Sequence, residues 1–206
     1  MFLSFEGIDC CGKTTQASLL KDYLTHDLHR SVLFLREPGG TEISEQVRAI
    51  LLNKKNLGMV PPAEILLFSA SRAQLVSEVI RPELEKGTVV ITDRFADSTT
   101  AYQGYGRRMD ADMVAMVNRM ATQNIRPRRT YFIDINVEEM HRRRNKDGRE
   151  ADRMESSSEE FYRRVRAGYQ QMAMQEPDRF LTIDGTLEVG TIHTIIRNDI
   201  AALLGQ

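Results

Sequence analysis

The sequence predicts a doubly wound α/β fold, in which a parallel β-sheet is flanked by helices on both faces. Short, nearly continuous apolar runs alternate along the 206 residues with longer segments of helical period. This is the order expected when parallel strands are connected by helices. A glycine-rich turn also lies where the first apolar run passes into the first helical segment, at the edge of the sheet where such folds bind ligands.

Five segments are predicted to be strands. Val89-Val90-Ile91 illustrates them, because consecutive apolar residues imply that both faces of the strand are buried, and such strands belong in parallel sheets. The predicted strands are Phe2–Phe5, Val32–Leu35, Thr88–Thr92, Thr130–Ile135 and Phe180–Ile183. Functional residues are expected directly after each strand, since ligands sit beyond the carboxyl ends.

The segments between the strands are predicted to be helices. Ile43, Val47 and Ile50 recur at i, i+4 and i+7 and form one apolar stripe. Ser156, with Glu159 three residues later, predicts a capping box at the start of a helix. The predicted helices are Lys13–Leu24, Thr41–Leu52, Ala63–Glu85, Ala111–Thr122, Val137–Arg144, Ser156–Met174 and Val189–Leu204.

Composition excludes several classes of protein. Lys and Arg number 28 against 29 Asp and Glu, so no overall positive field favours a nucleic-acid polymer as partner. No apolar stretch is long enough to span a membrane, and the opening run has no basic flank typical of a secretion signal. Cys10 and Cys11 are adjacent and close no useful loop, which indicates a reducing, cytoplasmic location. The length fits one domain, residues 1–206.

The turn after the first strand matches the phosphate-binding pattern G-x-x-x-x-G-K-S/T. Its glycines let backbone N–H groups point at a phosphate, and the following helix adds its positive end. Lys13 is expected to reach the β- and γ-phosphates of a nucleotide, and the Thr14 hydroxyl to hold Mg²⁺. The residues predicted to bind ATP are Gly7, Ile8, Asp9, Cys10, Cys11, Gly12, Lys13, Thr14 and Thr15.

GTPases and motor ATPases share this pattern, so it does not specify a kinase by itself. Guanine recognition usually needs an N-K-x-D segment after a strand. The stretch 53–56 lacks the Asp, and the stretch 145–148 has it one position early. The chain is also short for a motor.

Charged residues follow the other predicted strands. Asp93 ends the third strand, where a magnesium-binding acid is expected. Arg94 beside it can bind a phosphate through two hydrogen bonds. The alternative is that Asp93 and Arg94 form an ion pair only with each other. Phe68 and Arg72 share one helix face and suit a flat base, although a packed Phe68 and an exposed Arg72 are the simpler interpretation. Asp9 either bonds nearby backbone or accepts a substrate hydroxyl.

In order along the chain, several segments resemble the thymidylate kinase family: residues 5–9, 12–16, 36–41, 67–72, 93–95 and 101–104. The most specific are Arg-Glu-Pro-Gly-Gly at 36–40 and Asp-Arg-Phe followed by Ala-Tyr-Gln-Gly. The resemblance implies a five-stranded P-loop fold, usually a homodimer. It also implies ATP- and Mg²⁺-dependent phosphorylation of dTMP to dTDP, in dTTP biosynthesis. A kinase of dUMP, another nucleotide or a deoxynucleoside is the first alternative, and an ATP-binding regulator the second.

The resemblance also implies roles for residues around the acceptor. Asp9 would hold the sugar 3′-hydroxyl, Phe68 would stack on thymine, and Tyr102 would crowd the 2′ position and favour deoxyribose. Other predicted substrate contacts are Glu37, Arg48, Arg72, Arg94, Ser98, Thr99 and Gln103, of which Arg48 and Arg94 would hold the acceptor phosphate. Lys13 and Arg94 would act in catalysis, and Thr14 and Asp93 would bind the metal.

A basic cluster at 142–153 is predicted to belong to a lid of about 142–155. Most such clusters are solvated charged faces, and a polynucleotide surface is a weaker alternative because three acids interrupt it. Some family members carry a catalytic arginine in the P-loop, where this chain has cysteines. The chain therefore resembles the bacterial type, in which the lid supplies that arginine, worth several powers of ten in rate. Arg149 is the first choice, with Arg144 and Arg153 next.

Cys10 and Cys11 stand where family members usually have Gly followed by a small residue. If position 10 needs positive φ, a cysteine is strained there. Small side chains that merely fit are the simpler interpretation. The alternative is a redox-gated site, because the helix start and Lys13 can lower the pKa of a neighbouring thiol.

Overall fold

All five predicted strands are present, each within one residue of its predicted bounds. The computed structural model describes residues 1–148 and 152–205. The strands are β1 (Phe2–Glu6), β2 (Val32–Arg36), β3 (Val89–Asp93), β4 (Arg129–Asp134) and β5 (Phe180–Asp184). They form one parallel sheet in the order β2-β3-β1-β4-β5. The predicted doubly wound α/β fold is confirmed.

The register of the sheet brings three strand ends together. Phe5 in β1 and Arg36 in β2 both pair with Asp93 in β3. The loops that follow these strands therefore leave the same edge of the sheet. β1 and β3 are buried along their whole length, whereas the edge strand β2 is only half-buried. Burial on both faces thus holds for the inner strands, because an edge strand has a neighbour on one side only.

Helices cover the sheet and mostly match their predicted positions. They are α1 (Lys13–Asp22), α2 (Glu42–Leu52), α3 (Pro61–Leu75), α4 (Arg81–Glu85), α5 (Ala96–Thr99), α6 (Ala111–Thr122), α7 (Val137–Asp147), α8 (Glu159–Gln175) and α9 (Val189–Leu204). No helix in these described ranges is long and apolar enough to cross a membrane.

The predicted helix 63–85 contains a wider π-helical turn at Val76–Ile80, between α3 and α4. Here the N–H of Arg81 donates to the carbonyl of Val76, five residues back. Pro82 follows directly, and a proline has no N–H for the helical ladder and clashes with the carbonyl four residues earlier. The loosened turn accommodates that proline without ending the helix.

The predicted capping box at Ser156 is wrong. α8 begins at Glu159, and the Ser158 hydroxyl accepts the N–H of Phe161 at 3.3 Å. The Ser156 hydroxyl instead donates to the carbonyl of Asp152 at 2.9 Å, in the preceding turn. Three consecutive serines offered three possible caps, and the turn before the helix decided among them.

A helical segment was not predicted between β3 and α6. α5 continues into a π-helical stretch at Thr100–Gly106, which packs against α8. Glycines allow the close approach: a Cβ on Gly106 would lie 2.6 Å from the Phe161 ring, and one on Gly168 would lie 2.6 Å from the Tyr105 ring. This segment carries Tyr102 and Gln103 to the edge of the sheet where the strands end.

Candidate active site

The loop after β1 adopts the backbone shape that its glycines allow. Gly7 has φ +141°, and a Cβ there would lie 2.5 Å from the carbonyl oxygen of Ile133. Gly12 has φ +102°, and α1 begins at the next residue. Lys13 is buried and donates from Nζ to the carbonyl of Ile8 at 3.0 Å. The loop, its lysine and the helix start thus converge as the phosphate-binding pattern requires.

A cavity of about 560 Å³ opens beside this loop. Besides loop residues 10 and 12–15, Arg143 and Lys146 of α7 line it. Arg143 donates to the carbonyls of Cys10 and Cys11 at 3.4 and 3.3 Å, and to that of Gly185 at 2.7 Å. Arg143 and Lys146 were not among the predicted ATP-binding residues, although both belong to the basic cluster at 142–153.

The two predicted metal-binding residues are in contact. The Thr14 hydroxyl donates to a carboxylate oxygen of Asp93 in a short hydrogen bond. Hard oxygen ligands suit Mg²⁺, which is usually bound by one or two protein groups together with substrate phosphates and waters. This pair at the end of β3, next to Lys13, therefore fits the metal. The magnesium-binding role of Thr14 and Asp93 remains a prediction.

The two cysteines differ in their surroundings. Cys10 has φ +58°, so the expected strain at position 10 is present. Its side chain lines the cavity beside the loop. Cys11 is 1% exposed, and burial raises the pKa of its thiol even though Lys13 opposes that shift. The prediction that the helix start and Lys13 lower the pKa of a thiol in this loop is therefore wrong for Cys11.

A second cavity of about 540 Å³ lies beyond the ends of β1, β2 and β3. It shares Cys10, Lys13 and Thr14 with the first cavity. Every predicted substrate residue lines it: Asp9, Glu37, Arg48, Phe68, Arg72, Arg94, Ser98, Thr99, Tyr102 and Gln103. The fold thus brings together residues from five separate segments, and the role assigned to each of them remains a prediction.

Arg94 pairs with Asp9 and not with its neighbour Asp93. Its guanidinium lies 2.5 Å from Asp9 Oδ1, and it also donates to the carbonyl of Gly7 at 3.0 Å. The Tyr162 hydroxyl donates to Asp9 Oδ2 at 2.8 Å. Burial by itself would raise the pKa of Asp9, but Arg94 and Lys13 outweigh it and hold that pKa below its usual value. Asp9 is therefore an ionised acceptor facing the cavity.

Arg72 is buried, so the interpretation of an exposed surface arginine is wrong. It is 2% exposed, and it donates to Glu37 Oε2 at 2.8 Å, to the Thr99 hydroxyl at 2.7 Å and to the carbonyl of Phe95 at 3.0 Å. Glu37 Oε1 is buried and accepts no hydrogen bond from the residues that the structure describes. Burial raises the pKa of Glu37, and Arg72 opposes the shift.

Arg48 adds positive charge to the same cavity. Its guanidinium donates to the carbonyl of Pro38 at 2.8 Å, which aims it from α2 across the loop after β2. Burial and the nearby Arg36 lower the pKa of Arg48. An anion bound between Arg48 and Arg94 would offset the positive charge that Arg36 and Arg48 place near each other, as is typical of a phosphate site.

Glu6 lies directly behind the cavity and was missed by sequence reasoning. Its carboxylate accepts the N–H of Phe95 at 2.6 Å, the Ser98 hydroxyl at 2.6 Å and the Tyr169 hydroxyl at 2.8 Å. Complete burial, assisted by Asp97, raises the pKa of Glu6 to about 7. A charged residue inside an apolar strand, at its carboxyl end, was the signal that could have identified it.

The lid arginines are in different situations. Arg149 lies outside the described residues. Arg144 donates to the carbonyl of Glu155 at 2.8 Å. Arg153 is buried and donates to Glu64 Oε2 at 2.7 Å and to the carbonyl of Leu51 at 2.6 Å. These bonds hold Arg153 within the protein, which disfavours it as the arginine that reaches a transferring phosphate.

Known proteins resemble the chain over nearly its full length. A model of the family described as thymidylate kinase matches residues 5–196. The thymidylate kinase of Caldanaerobacter subterraneus subsp. tengcongensis is 48% identical over 195 residues, covering 95% of this chain and 92% of that protein. That of Chlorobaculum tepidum is 47% identical over 211 residues and covers 98% of each chain.

A solved structure agrees with the sequence relatives. The crystal structure of thymidylate kinase from Ehrlichia chaffeensis superposes with a TM-score of 0.77 at 35% identity, covering 97% of this chain and 98% of that one. The five-stranded parallel sheet and the phosphate-binding loop described above are features of the P-loop fold. On the sequence match over residues 5–196 and this shared architecture, the chain belongs to the thymidylate kinase family.

Proposed function

We propose that this chain transfers the γ-phosphoryl group of ATP to the phosphate of dTMP and forms dTDP, a step of dTTP biosynthesis. The main support is two adjoining cavities that share Lys13 and Thr14, one beside the phosphate loop and one lined by Arg48 and Arg94. Phosphoryl transfer requires donor and acceptor phosphates held together by positive charge. The chain, residues 1–206, would act as one domain in the cytoplasm, the compartment that its two adjacent cysteines indicate.

On the donor side, the N–H groups of the loop and Lys13 would bind the β- and γ-phosphates of ATP. Thr14 and Asp93 would hold Mg²⁺, which supplies neutralisation of phosphate charge when bound. Arg143 and Lys146, which line the same cavity, would add positive charge along the nucleotide. The remaining residues assigned to ATP are Gly7, Ile8, Asp9, Cys10, Cys11, Gly12 and Thr15.

On the acceptor side, Arg48 and Arg94 would hold the phosphate of dTMP. The contacts of Arg94 with Asp9 and the Gly7 carbonyl fix its guanidinium before a substrate arrives, which reduces the cost of orienting it. Asp9 would accept the sugar 3′-hydroxyl, and Phe68 would stack on the base. Contacts with the base edge and nearby groups would come from Arg72, oriented by Glu37, and from Ser98, Thr99 and Gln103.

Tyr102 supports a preference for deoxyribose. Its ring is buried against the rings of Phe161, Tyr162 and Tyr169, and its hydroxyl accepts from Arg94 at 3.2 Å. A side chain packed on three sides cannot move away from a 2′-hydroxyl. We expect kcat/KM to be far higher for dTMP than for the ribonucleotide TMP. Equal values would remove the deoxyribose assignment.

The activity is tested by coupled ADP release with a panel of dTMP, dUMP, dCMP and thymidine. The expected result is release with dTMP above the others, abolished in Lys13→Met and retained in Lys21→Met, which changes an exposed lysine of the same helix. Highest release with dUMP or thymidine would favour the neighbouring kinases. ATP binding without release for any acceptor would favour the regulator.

We assign the transition-state arginine to the lid of about 142–155, with Arg149 as first choice. An interaction made only in the transition state lowers kcat when removed and leaves the KM for dTMP nearly unchanged. Arg149→Ala should show that pattern, with Arg144→Ala and Arg153→Ala measured alongside it. Loss of kcat in none of the three would overturn the lid assignment.

We also propose that two copies of the chain form a homodimer, as family members usually do. α2, α3 and α6 pack side by side, and together they expose large apolar side chains to solvent: Ile43, Ile50, Leu66, Met116 and Met120. Exposed apolar patches of this kind mark interaction sites. One three-helix face can serve both copies across a two-fold axis.

Light scattering at micromolar concentration tests the dimer. We expect the parent to have twice the mass of one chain and Met116→Glu to be a monomer. Met174→Glu is the matched control, because Met174 is also exposed, at 69% against 58% for Met116, but lies on α8. A monomeric parent, or a Met116→Glu variant that stays dimeric, would contradict the proposal.

A further inference from the structure

We infer that Glu64, a buried residue of α3, is a positioning residue that selects the base by fixing the amide orientation of Gln103. This inference rests on the proposed function and names a determinant of substrate choice within it. Glu64 is 1% exposed and Gln103 is 2% exposed. Glu64 is not among the residues that line the substrate cavity, whereas Gln103 is. The carboxylate can therefore act on a substrate only through its neighbour.

Four donated hydrogen bonds converge on the Glu64 carboxylate. Oε1 accepts from Gln103 Nε2 at 3.0 Å and from Arg107 Nε at 3.1 Å. Oε2 accepts from Arg107 at 3.2 Å and from Arg153 at 2.7 Å. Burial alone would raise the pKa of Glu64, but the hydrogen bonds from Arg107, Gln103 and Arg153 outweigh it and hold that pKa below its usual value. Glu64 is ionised at neutral pH.

An ionised carboxylate accepts hydrogen bonds and donates none. The end of the Gln103 amide that faces Glu64 must therefore be the NH₂ group, and the carbonyl oxygen must point the other way. Because Gln103 lines the cavity, that carbonyl is the group available to a bound base. The two arginines keep the carboxylate charged and in place, so the amide is held in one orientation.

This fixed acceptor matches one class of pyrimidine. Thymine and uracil carry an N–H donor at N3, whereas cytosine has a lone pair there. A carbonyl held toward N3 bonds the first two bases and repels the third. A site built around a fixed hydrogen bond rejects a substrate that cannot make it far more strongly than an apolar pocket does. An amide free to rotate would serve both classes and lose the discrimination.

Glu64→Gln makes a directional prediction. The new side chain has one oxygen and one NH₂ group. The Oε2 position faces two charged donors, from Arg107 and Arg153, whereas the Oε1 position faces only one, Arg107 Nε, together with the neutral Gln103 amide. The NH₂ is therefore repelled less at the Oε1 position and takes the place that faces Gln103. Gln103 then turns its carbonyl toward residue 64 and its NH₂ toward the cavity. We expect the dTMP-to-dCMP ratio of kcat/KM to fall at least tenfold, through the KM for dTMP.

The experiment measures kcat and KM for dTMP, dUMP and dCMP in parent and Glu64→Gln, with calorimetric binding of each nucleotide as a second readout. The dUMP values should fall in parallel with those for dTMP, while dCMP binding should strengthen or hold. Glu78→Gln, the same change at an exposed position on the turn after α3, should alter none of them. General structural damage would weaken all three nucleotides alike, and that result would overturn the inference.

Gln103→Leu provides a second route if Glu64→Gln does not fold. It removes the carbonyl without adding charge, so dTMP and dUMP binding should drop and dCMP binding should not. Equal losses for all three nucleotides would contradict the role of the amide. If the parent neither binds nor phosphorylates dTMP, the proposed function fails and this inference falls with it. A parent active on dTMP whose ratios survive both changes refutes the inference alone.

Discussion

Replacing Arg72 with methionine is expected to destabilise the fold strongly. The change keeps an apolar stem of similar length but removes the guanidinium, which donates to Glu37, Thr99 and the carbonyl of Phe95. The ion pair with Glu37 is 2.7 Å long, and the two side chains are only 2% and 4% exposed. Solvent therefore screens it little, and Arg72→Met leaves a buried carboxylate without its partner.

The size of the effect follows from that burial. Breaking a buried ion pair by removing one partner costs about 3–5 kcal/mol. For a chain of this length, each kcal/mol lowers the melting temperature by about 2–4 °C. The expected loss for Arg72→Met is therefore about 6–20 °C. Urea unfolding should show the same loss in the free energy of unfolding.

The pH dependence has a definite sign. The pKa of Glu37 is already raised by burial against the opposing effect of Arg72, so Arg72→Met raises it further. The penalty of the variant arises because the unfolded chain loses the Glu37 proton at a lower pH than the folded protein does. The deficit should therefore be larger at neutral pH than at acidic pH, shrink as the pH falls below the raised folded-state pKa, and disappear below the ordinary pKa of a carboxyl group.

A double-mutant cycle with Glu37→Gln separates the pair from its surroundings. The double variant should be clearly more stable than the sum of the two single losses predicts, because it leaves no unpaired charge. Additive losses that do not depend on pH would refute the reasoning. The pair would then contribute only packing.

Three further outcomes are expected. Cys10→Gly should stabilise the fold by up to about 1 kcal/mol, since glycine adopts the φ of +58° without strain; a lower melting temperature would contradict this. An alkylating reagent should label Cys10, which lines both cavities, before it labels the buried Cys11. ATP–Mg²⁺ should protect Cys10 from the reagent better than dTMP does. Peptide mass spectrometry that shows Cys11 labelled first would refute this order of reactivity. The pKa of Glu6, raised to about 7, implies a stability contribution present at acidic pH and lost as the pH rises through about 7. In urea unfolding from about pH 5 to pH 8, the parent should therefore lose stability relative to Glu6→Gln, and a constant difference would contradict the assignment.

The features of the fold that depend on residues close together in the sequence were predictable. The five strands could be recognised because burial on both faces makes consecutive residues apolar, as in β3. The phosphate loop could be recognised because its backbone demands glycines at Gly7 and Gly12, both with positive φ. The list of substrate residues came from resemblance to a family, not from spacing, and the fold then gathered them around one cavity.

Helical segments and helix ends that depend on tertiary packing were missed by the sequence prediction. The helical stretch at residues 96–106 is rich in Gly, Thr and Tyr and has no helical period of its own; packing against α8 maintains it. The start of α8 at Glu159 was likewise decided by the preceding turn. The π-helical turn before Pro82 differs, because the proline that explains it is visible in the sequence. Propensity cannot resolve such cases, since tertiary contacts outweigh differences of a few tenths of a kcal/mol.

The sequence by itself determined the chemistry that was available: a lysine and a threonine after a glycine loop, arginines beyond strand ends, and a Tyr-Gln pair near them. Only the tertiary structure decided the partners. Arg94 joins Asp9 across 85 residues, Arg72 joins Glu37 across 35, and Arg153 joins Glu64 across 89. No local pattern encodes these pairs. They depend on which strand ends and helices the fold brings together, and burial there requires each charge to find a partner.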